Sequence, residues 1–183
     1  MDSKSYTLKV AGITRELPRM AISKELEIAS FVILGDTELV CQVAPEIVKR
    51  LPPIDVIITA EAKGIPLVFE VSRLMNMNYI IARKSIKPYM KDPITVAVHS
   101  ITTQKEQVLC LDGKDANVIC GKRVAIIDDV ISTGESIQAV ERLVEKAGGK
   151  VVAKAAILAE GDAADREDII FLEKLPLFKK TTP

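Results

Sequence analysis

Two adjacent acidic residues and a short run of small polar residues form the segment with the clearest chemical potential. An apolar run over residues 124–127 leads into Asp128 and Asp129, and a hydroxyl-rich turn then enters a helical pattern. Ligands of open α/β sheets bind at the carboxyl ends of strands, and free amides at a helix N-terminus bind anions. Carboxylates accept hydrogen bonds from sugar hydroxyls or bind hydrated magnesium. The segment predicts a site for a phosphorylated sugar, although alone it would also fit a plain strand end and helix cap.

The run of residues 128–136 resembles the phosphoribosyl pyrophosphate (PRPP) signature of type I phosphoribosyltransferases. The resemblance extends over about residues 36–156 and is strongest toward the purine salvage enzymes, adenine phosphoribosyltransferase in particular. It implies that Asp128 and Asp129 act at the catalytic centre by holding the ribose hydroxyls. Magnesium would enter with PRPP, with Asp128 as a candidate metal ligand. The implied 5-phosphate loop consists of Ser132, Thr133, Gly134, Glu135 and Ser136.

Two segments that contain lysine or arginine resemble the parts of this family that receive pyrophosphate. Residues 60–64 are similar to the pyrophosphate loop, although adenine enzymes commonly have arginine where Lys63 stands, and lysine keeps the charge but loses the fork geometry. Residues 83–93 are too polar and too rich in proline for a regular element, and they resemble the start of the flexible loop that closes over PRPP. The implied pyrophosphate-binding residues are Glu61, Ala62, Lys63, Gly64, Arg83, Lys84 and Lys87.

The residues that would select the base depart from the family pattern. Thr102 stands where adenine enzymes carry a glutamate, which leaves Glu106 as the candidate catalytic acid or base. Residues 100–104 also resemble the hairpin of bacterial xanthine phosphoribosyltransferases. The implied base-binding residues are Phe31, Val32, Leu34 and Val130. Adenine, giving AMP and pyrophosphate, is the first expected substrate. The alternatives are a xanthine or hypoxanthine/guanine enzyme, an orotate-type transferase, and a non-catalytic regulator that senses PRPP.

Hydrophobic periodicity predicts alternating strands and helices that would position these residues. Strands are expected at residues 54–59, 79–82, 123–128 and 151–158, helices at 37–51, 66–75 and 136–147, and a hairpin from 94–100 and 107–111. This alternation predicts an α/β fold with a mostly parallel sheet flanked by helices. The family resemblance adds a flexible loop hairpin and a small hood, the latter from residues 1–35 and 160–183.

Length and composition narrow the class of protein further. The 183 residues, 48% of them hydrophobic, predict one domain over residues 1–183 with a substantial core. The 25 basic residues balance the 25 acidic ones, so no net field favours nucleic acid, and no apolar stretch approaches the ~18 residues that a membrane helix needs. A single histidine argues against histidine metal sites and catalytic triads, and three widely spaced cysteines predict a reducing, cytoplasmic setting. The family resemblance also implies that the protein forms a homodimer.

Overall fold

Alternating strands and helices run through residues 4–98 and 107–180, the parts of the chain that the computed structural model describes. The strands are β1 (Ser5–Val10), β2 (Ile13–Ala21), β3 (Leu26–Ala29), β4 (Val56–Ala60), β5 (Tyr79–Ala82), β6 (Ile94–Val98), β7 (Gln107–Leu111), β8 (Arg123–Ile131), β9 (Lys150–Glu160), β10 (Ile170–Leu175) and β11 (Leu177–Lys179). The helices are α1 (Thr37–Val48), α2 (Ile65–Met75), α3 (Gly113–Ile119), α4 (Glu135–Lys146) and a 3-10 turn (Gly161–Asp165).

A parallel sheet in the order β10-β9-β8-β4-β5 forms the centre of the protein. Successive strand residues face opposite sides, so Ile57 and Ile127 join one buried core while Ile58 and Ile126 join the other. Residues of α1 and α2 complete the first core, and residues of α4 and the β6–β7 hairpin complete the second. The predicted α/β fold with a parallel sheet flanked by helices is confirmed.

The predicted element boundaries hold to within a few residues, with one consequence for the site. The Asp36 carboxylate accepts a hydrogen bond from the Leu39 amide at 3.1 Å and so caps α1. Strand β8 continues to Ile131 because its pairing with β9 continues, so the paired acids lie within the strand and not after it.

None of the helices in the described ranges is long and apolar enough to cross a membrane.

A second sheet, the hood sheet, is antiparallel and has the order β1-β2-β3-β11. It joins the two ends of the chain, since Leu177 of β11 lies opposite Ile28 of β3. The Arg19 guanidinium lies 3.8 Å from the centre of the Phe178 ring and fastens β2 to β11. Sequence periodicity predicts none of β1, β2, β3 and β11, although the family resemblance implied a hood.

The β6–β7 pair confirms the predicted hairpin. Its strands are antiparallel, with Ile94 opposite Leu111 and Val98 opposite Gln107. Residues 99–106 lie outside the described part of the chain. Thr102 and the candidate acid or base Glu106 fall in that stretch, so the role of Glu106 stays a prediction.

Candidate active site

A cavity of about 580 Å³ opens at the carboxyl edge of the central sheet. The ends of β4, β8 and β9 line it, and so do residues 28–32, which comprise the end of β3 and the three residues after it. The predicted site residues that line it are Phe31, Val32, Glu61, Ala62, Lys63, Lys84, Asp128, Asp129, Val130, Ser132, Thr133, Gly134 and Ser136. Five more described residues from the prediction lie outside this lining, namely Leu34, Gly64, Arg83, Lys87 and Glu135. The structure therefore brings most of the predicted site into one place.

The turn between β8 and α4 has the geometry of an anion site. Gly134 is the N-cap of α4, and its φ of +87° lies in the left-handed region that glycine adopts without strain. Because glycine offers no capping side chain, the first amides of α4 remain available to an anion. Ser132 and Thr133 are exposed at the cavity wall and add two hydroxyl groups. The turn can therefore bind a phosphate group.

Asp128 and Asp129 are neighbours on β8 with different surroundings. Asp129 is buried, and its backbone amide donates a hydrogen bond to Oδ1 of Asp128 at 2.9 Å. Removal of the Asp128 carboxyl from water, together with the nearby charge of Asp129, raises the pKa of Asp128 to about 7. The Asp128 carboxyl therefore titrates near neutrality.

The segment after β4 packs directly onto these acids. Nζ of Lys63 lies 2.9 Å from Oδ2 of Asp129. A Cβ atom at Gly64 would press on Oγ1 of Thr59 and stand 2.9 Å from Oδ1 of Asp128. Gly64 thus contributes by the absence of a side chain, because only glycine lets this backbone approach β8 so closely.

Glu61 links the end of β4 to the end of β5. Its carboxylate accepts a hydrogen bond from the Lys84 amide at 2.6 Å, and Oε2 lies 2.7 Å from Nε of Arg83. Although burial opposes the shift, these partners hold the pKa of Glu61 below its ordinary value. A carboxylate repels a diphosphate, so any contribution of Glu61 to pyrophosphate binding acts through Arg83 and Lys84.

The cavity wall also contains the carboxylate of Glu160, which the sequence pattern did not predict. This half-buried residue ends β9 and shares the cavity wall with Val130 and Leu175. Burial raises the pKa of Glu160, and the charge of Lys63 opposes that rise. A signal was present, since Glu160 comes at the end of an apolar run of residues in the same way as the paired acids, but the predicted strand ended at residue 158.

Comparison with known proteins identifies the family. Residues 52–176 match the model of the phosphoribosyl transferase domain. The chain belongs to this family. This phosphoribosyltransferase is 35% identical to the hypoxanthine/guanine phosphoribosyltransferase of Methanococcus voltae over 140 residues, which are 76% of this chain and 71% of that protein. It is 36% identical to the enzyme of the same description from Methanocaldococcus vulcanius over 137 residues, 74% and 71% of the two chains.

Solved structures show the type I phosphoribosyltransferase fold. The adenine phosphoribosyltransferase of Thermoanaerobacter pseudethanolicus matches with a TM-score of 0.72 at 21% identity, covering 86% of this chain and 95% of that chain. The adenine phosphoribosyltransferase of Rhodothermus marinus matches with a TM-score of 0.61 at 22% identity, covering 93% and 94%. At these identities the likeness concerns the fold alone, and it confirms the fold that the sequence resemblance implied.

The donor set of this phosphoribosyltransferase fits magnesium that is shared with a substrate. In residues 4–98 and 107–180, no cluster of three or more His, Cys, Asp or Glu side chains could hold a metal by itself. Asp128 and Asp129 nevertheless line the same cavity as the turn between β8 and α4. Magnesium is usually bound by one or two carboxylates together with substrate phosphates, and this pair meets that requirement.

Proposed function

We propose that the protein is a purine phosphoribosyltransferase that makes AMP and pyrophosphate from PRPP and adenine. The observation that carries this proposal is that the paired acids, the turn between β8 and α4, and Lys63 line a single cavity. Membership of the family supports PRPP as the donor. The descriptions of the related proteins, as hypoxanthine/guanine and adenine enzymes, support a purine as the acceptor.

Each part of PRPP has a complementary group in the proposed site. The 5-phosphate would bind the amides and hydroxyls of residues 132–136, which form the phosphate loop. The ribose hydroxyls would donate hydrogen bonds to Asp128 and Asp129. The diphosphate would bind the backbone of residues 61–64, the ammonium groups of Lys63 and Lys84, and, beyond the lining of the cavity, Arg83 and Lys87.

The proposed reaction displaces pyrophosphate from C1 of the ribose. A ring nitrogen of the purine attacks C1, the bond from C1 to the diphosphate oxygen breaks, and the nitrogen loses its proton. Positive charge develops on the ribose ring in the transition state, and the carboxylates of Asp128 and Asp129 would stabilise it electrostatically. Glu106 remains the proposed proton acceptor. Orientation of the two substrates would supply much of the remaining rate enhancement.

Magnesium is part of the proposal. Asp128 and Asp129 would hold it beside the PRPP oxygens, and bound magnesium would neutralise charge on the diphosphate. The Asp128 carboxyl must be ionised for this role, and its pKa of about 7 makes that form accessible at neutral pH.

Adenine is proposed as the base because of Glu160. An ionised carboxylate only accepts hydrogen bonds, so it complements the 6-amino group of adenine and repels the 6-carbonyl of hypoxanthine or guanine. The apolar side chains of Phe31 and Val130 line the same cavity and would contact the ring. The alternative is a hypoxanthine/guanine enzyme, favoured by the description of the sequence relatives, in which a 6-oxopurine would present its N1–H to Glu160.

Incubation with PRPP, magnesium and each purine in turn, with products identified by mass spectrometry, tests the proposal. We expect AMP from adenine, with slower or no product from hypoxanthine, guanine and xanthine. A variant with both Asp128→Asn and Asp129→Asn controls for contaminating enzymes from the expression host. IMP or GMP as the main product would favour the alternative. PRPP binding by calorimetry without product from any base would indicate a PRPP-sensing regulator.

The proposal includes a homodimer in the cytosol. Apolar side chains are exposed on α2, with Phe69 at 56% and Leu74 at 40% of full exposure, and they offer surface for a second copy. Light scattering coupled to gel filtration would measure the mass, with about twice 20.0 kDa expected.

A further inference from the structure

Arg166 lies against the phosphate loop, although 31 residues separate it from Gly134 in the chain. A Cβ atom at Gly134 would stand only 2.6 Å from Nη1 of Arg166. Gly134 is itself buried, and its positive φ turns the chain from β8 into α4. The guanidinium group therefore occupies the space that a side chain at this turn would need.

An acidic partner holds the guanidinium in a fixed orientation. Nε and Nη2 of Arg166 donate to the two carboxylate oxygens of Asp168 at 2.8 and 2.7 Å. Oδ2 of Asp168 also lies 3.5 Å from Nζ of Lys154, which is 2.8 Å from Oε2 of Glu141 on α4. This two-point geometry engages one side of the guanidinium, and Nη1 on its other side is the atom next to the phosphate loop.

We propose that Arg166 is a positioning residue for the phosphate loop, one that holds the Gly134 turn and adds positive charge beside the bound phosphate. The inference rests on the proposed function, since it assigns the loop to the phosphate of a sugar phosphate. The amides at the start of α4 bind an anion only while the turn keeps its left-handed geometry. A guanidinium packed on Gly134 restricts that turn, and its charge strengthens anion binding at short range.

Calorimetric titration of the full chain with ribose 5-phosphate, and separately with pyrophosphate, tests this role. We expect Arg166→Gln to weaken ribose 5-phosphate binding about tenfold and to change pyrophosphate binding less than twofold. Arg166→Lys keeps the charge without the fork and should recover part of the loss. Arg142→Gln is the matched control, because it removes an arginine from α4 that bonds the Ala97 carbonyl instead, and it should leave both affinities unchanged.

The Arg166→Gln measurements can overturn the inference in two ways. Wild-type affinity of Arg166→Gln for ribose 5-phosphate would show that the residue does not act on the loop. Equal loss of ribose 5-phosphate and pyrophosphate binding would show general loosening of the fold. Should Arg166→Gln not fold, Asp168→Asn decides the question, because it releases the guanidinium and keeps its charge. We expect that variant to bind ribose 5-phosphate about threefold more weakly, and unchanged binding would overturn the inference.

The binding measurements also separate this inference from the proposed function. Binding of ribose 5-phosphate that depends on Arg166, in a protein that makes no nucleotide from any base, would support the role of Arg166 and contradict the proposed reaction. Wild-type protein that does not bind ribose 5-phosphate would overturn both.

Discussion

Nζ of Lys63 lies 2.9 Å from Oδ2 of Asp129, so the segment after β4 is joined to the paired acids of β8 by an ion pair. The lysine side chain is 50% exposed and the aspartate side chain is 4% exposed. A half-exposed ammonium group therefore neutralises a buried carboxylate. Because a diphosphate would attract the same ammonium group, Lys63 can serve both the fold and the proposed substrate.

Replacing Lys63 tests this double role. We expect Lys63→Met to weaken pyrophosphate binding about tenfold and to lower the free energy of unfolding by about 1–3 kcal/mol, because Asp129 loses its charged partner. Calorimetry with pyrophosphate and urea unfolding would measure the two effects. Lys63→Arg should retain most of both, and Lys9→Met, at an exposed position of β1, is the remote control. Stability lost without any change in pyrophosphate affinity would contradict the binding role.

The raised pKa of Asp128 predicts a pH-dependent affinity for PRPP. An ionised carboxylate accepts hydrogen bonds from the ribose hydroxyls through both of its oxygens, whereas a protonated carboxyl loses part of this capacity. The affinity for PRPP should therefore increase as the pH rises through about 7. We expect about tenfold tighter binding at pH 8 than at pH 6. In the Asp128→Asn variant, the affinity for PRPP should vary with pH only through the titration of the phosphate groups of PRPP itself. Identical pH profiles for the two proteins would count against the assignment.

The same pKa predicts how pH changes stability. The native state holds its proton on Asp128 up to about pH 7, whereas the unfolded chain releases it near the ordinary value of 3.8. The free energy of unfolding should therefore fall between these two pH values and then level off, relative to Asp128→Asn. Urea unfolding of both proteins at pH 5 and pH 8 would measure this difference, and a difference of the opposite sign would contradict it.

Glu160 predicts a change of base preference on substitution. The amide of Glu160→Gln offers a hydrogen-bond donor as well as an acceptor, so it would bind a 6-carbonyl that the carboxylate repels. We expect kcat/KM for adenine to fall about tenfold and that for hypoxanthine to rise. Steady-state kinetics with both bases would give the ratio. Glu173→Gln, at an exposed position of β10, is the matched control, and an unchanged ratio in Glu160→Gln would remove Glu160 from base selection.

Gly134 and Gly12 allow backbone strain to be separated from function. Both have a positive φ, +87° and +78°, so alanine at either position should cost about 1–2 kcal/mol of stability. A Cβ atom at Gly12 meets nothing within 4 Å, whereas one at Gly134 meets Arg166. We therefore expect only Gly134→Ala to weaken ribose 5-phosphate binding, by about tenfold. Equal binding by the two variants would indicate that the Gly134 turn does not hold the phosphate.

Local patterns in the sequence were sufficient to predict most of the strands of the central sheet and the helices that flank it. The cap at Asp36 and the apolar spacing after it predict α1, and the β-branched run before Asp128 predicts β8. The seven-residue helix α3 was missed because its apolar pattern is too short to show a period, although Asp112 caps it. The family resemblance implied a hood, but the sequence pattern did not show which strands form it. The pairing of β3 with β11 from the far end of the chain leaves no local trace.

By itself, the sequence determined the chemistry of the strand, turn and helix that begin at β8, because Asp128, Asp129 and residues 132–136 are neighbours in the chain. Only the tertiary structure decided which distant residues join them. Parallel pairing brings the ends of β4, β8 and β9 to one edge of the sheet, and this convergence places Lys63 beside Asp129 and Glu160 in the same cavity. The segment after β9 then places Arg166 against Gly134. These contacts depend on how the strands pair and where the chain returns after β9, which spacing along the chain does not encode.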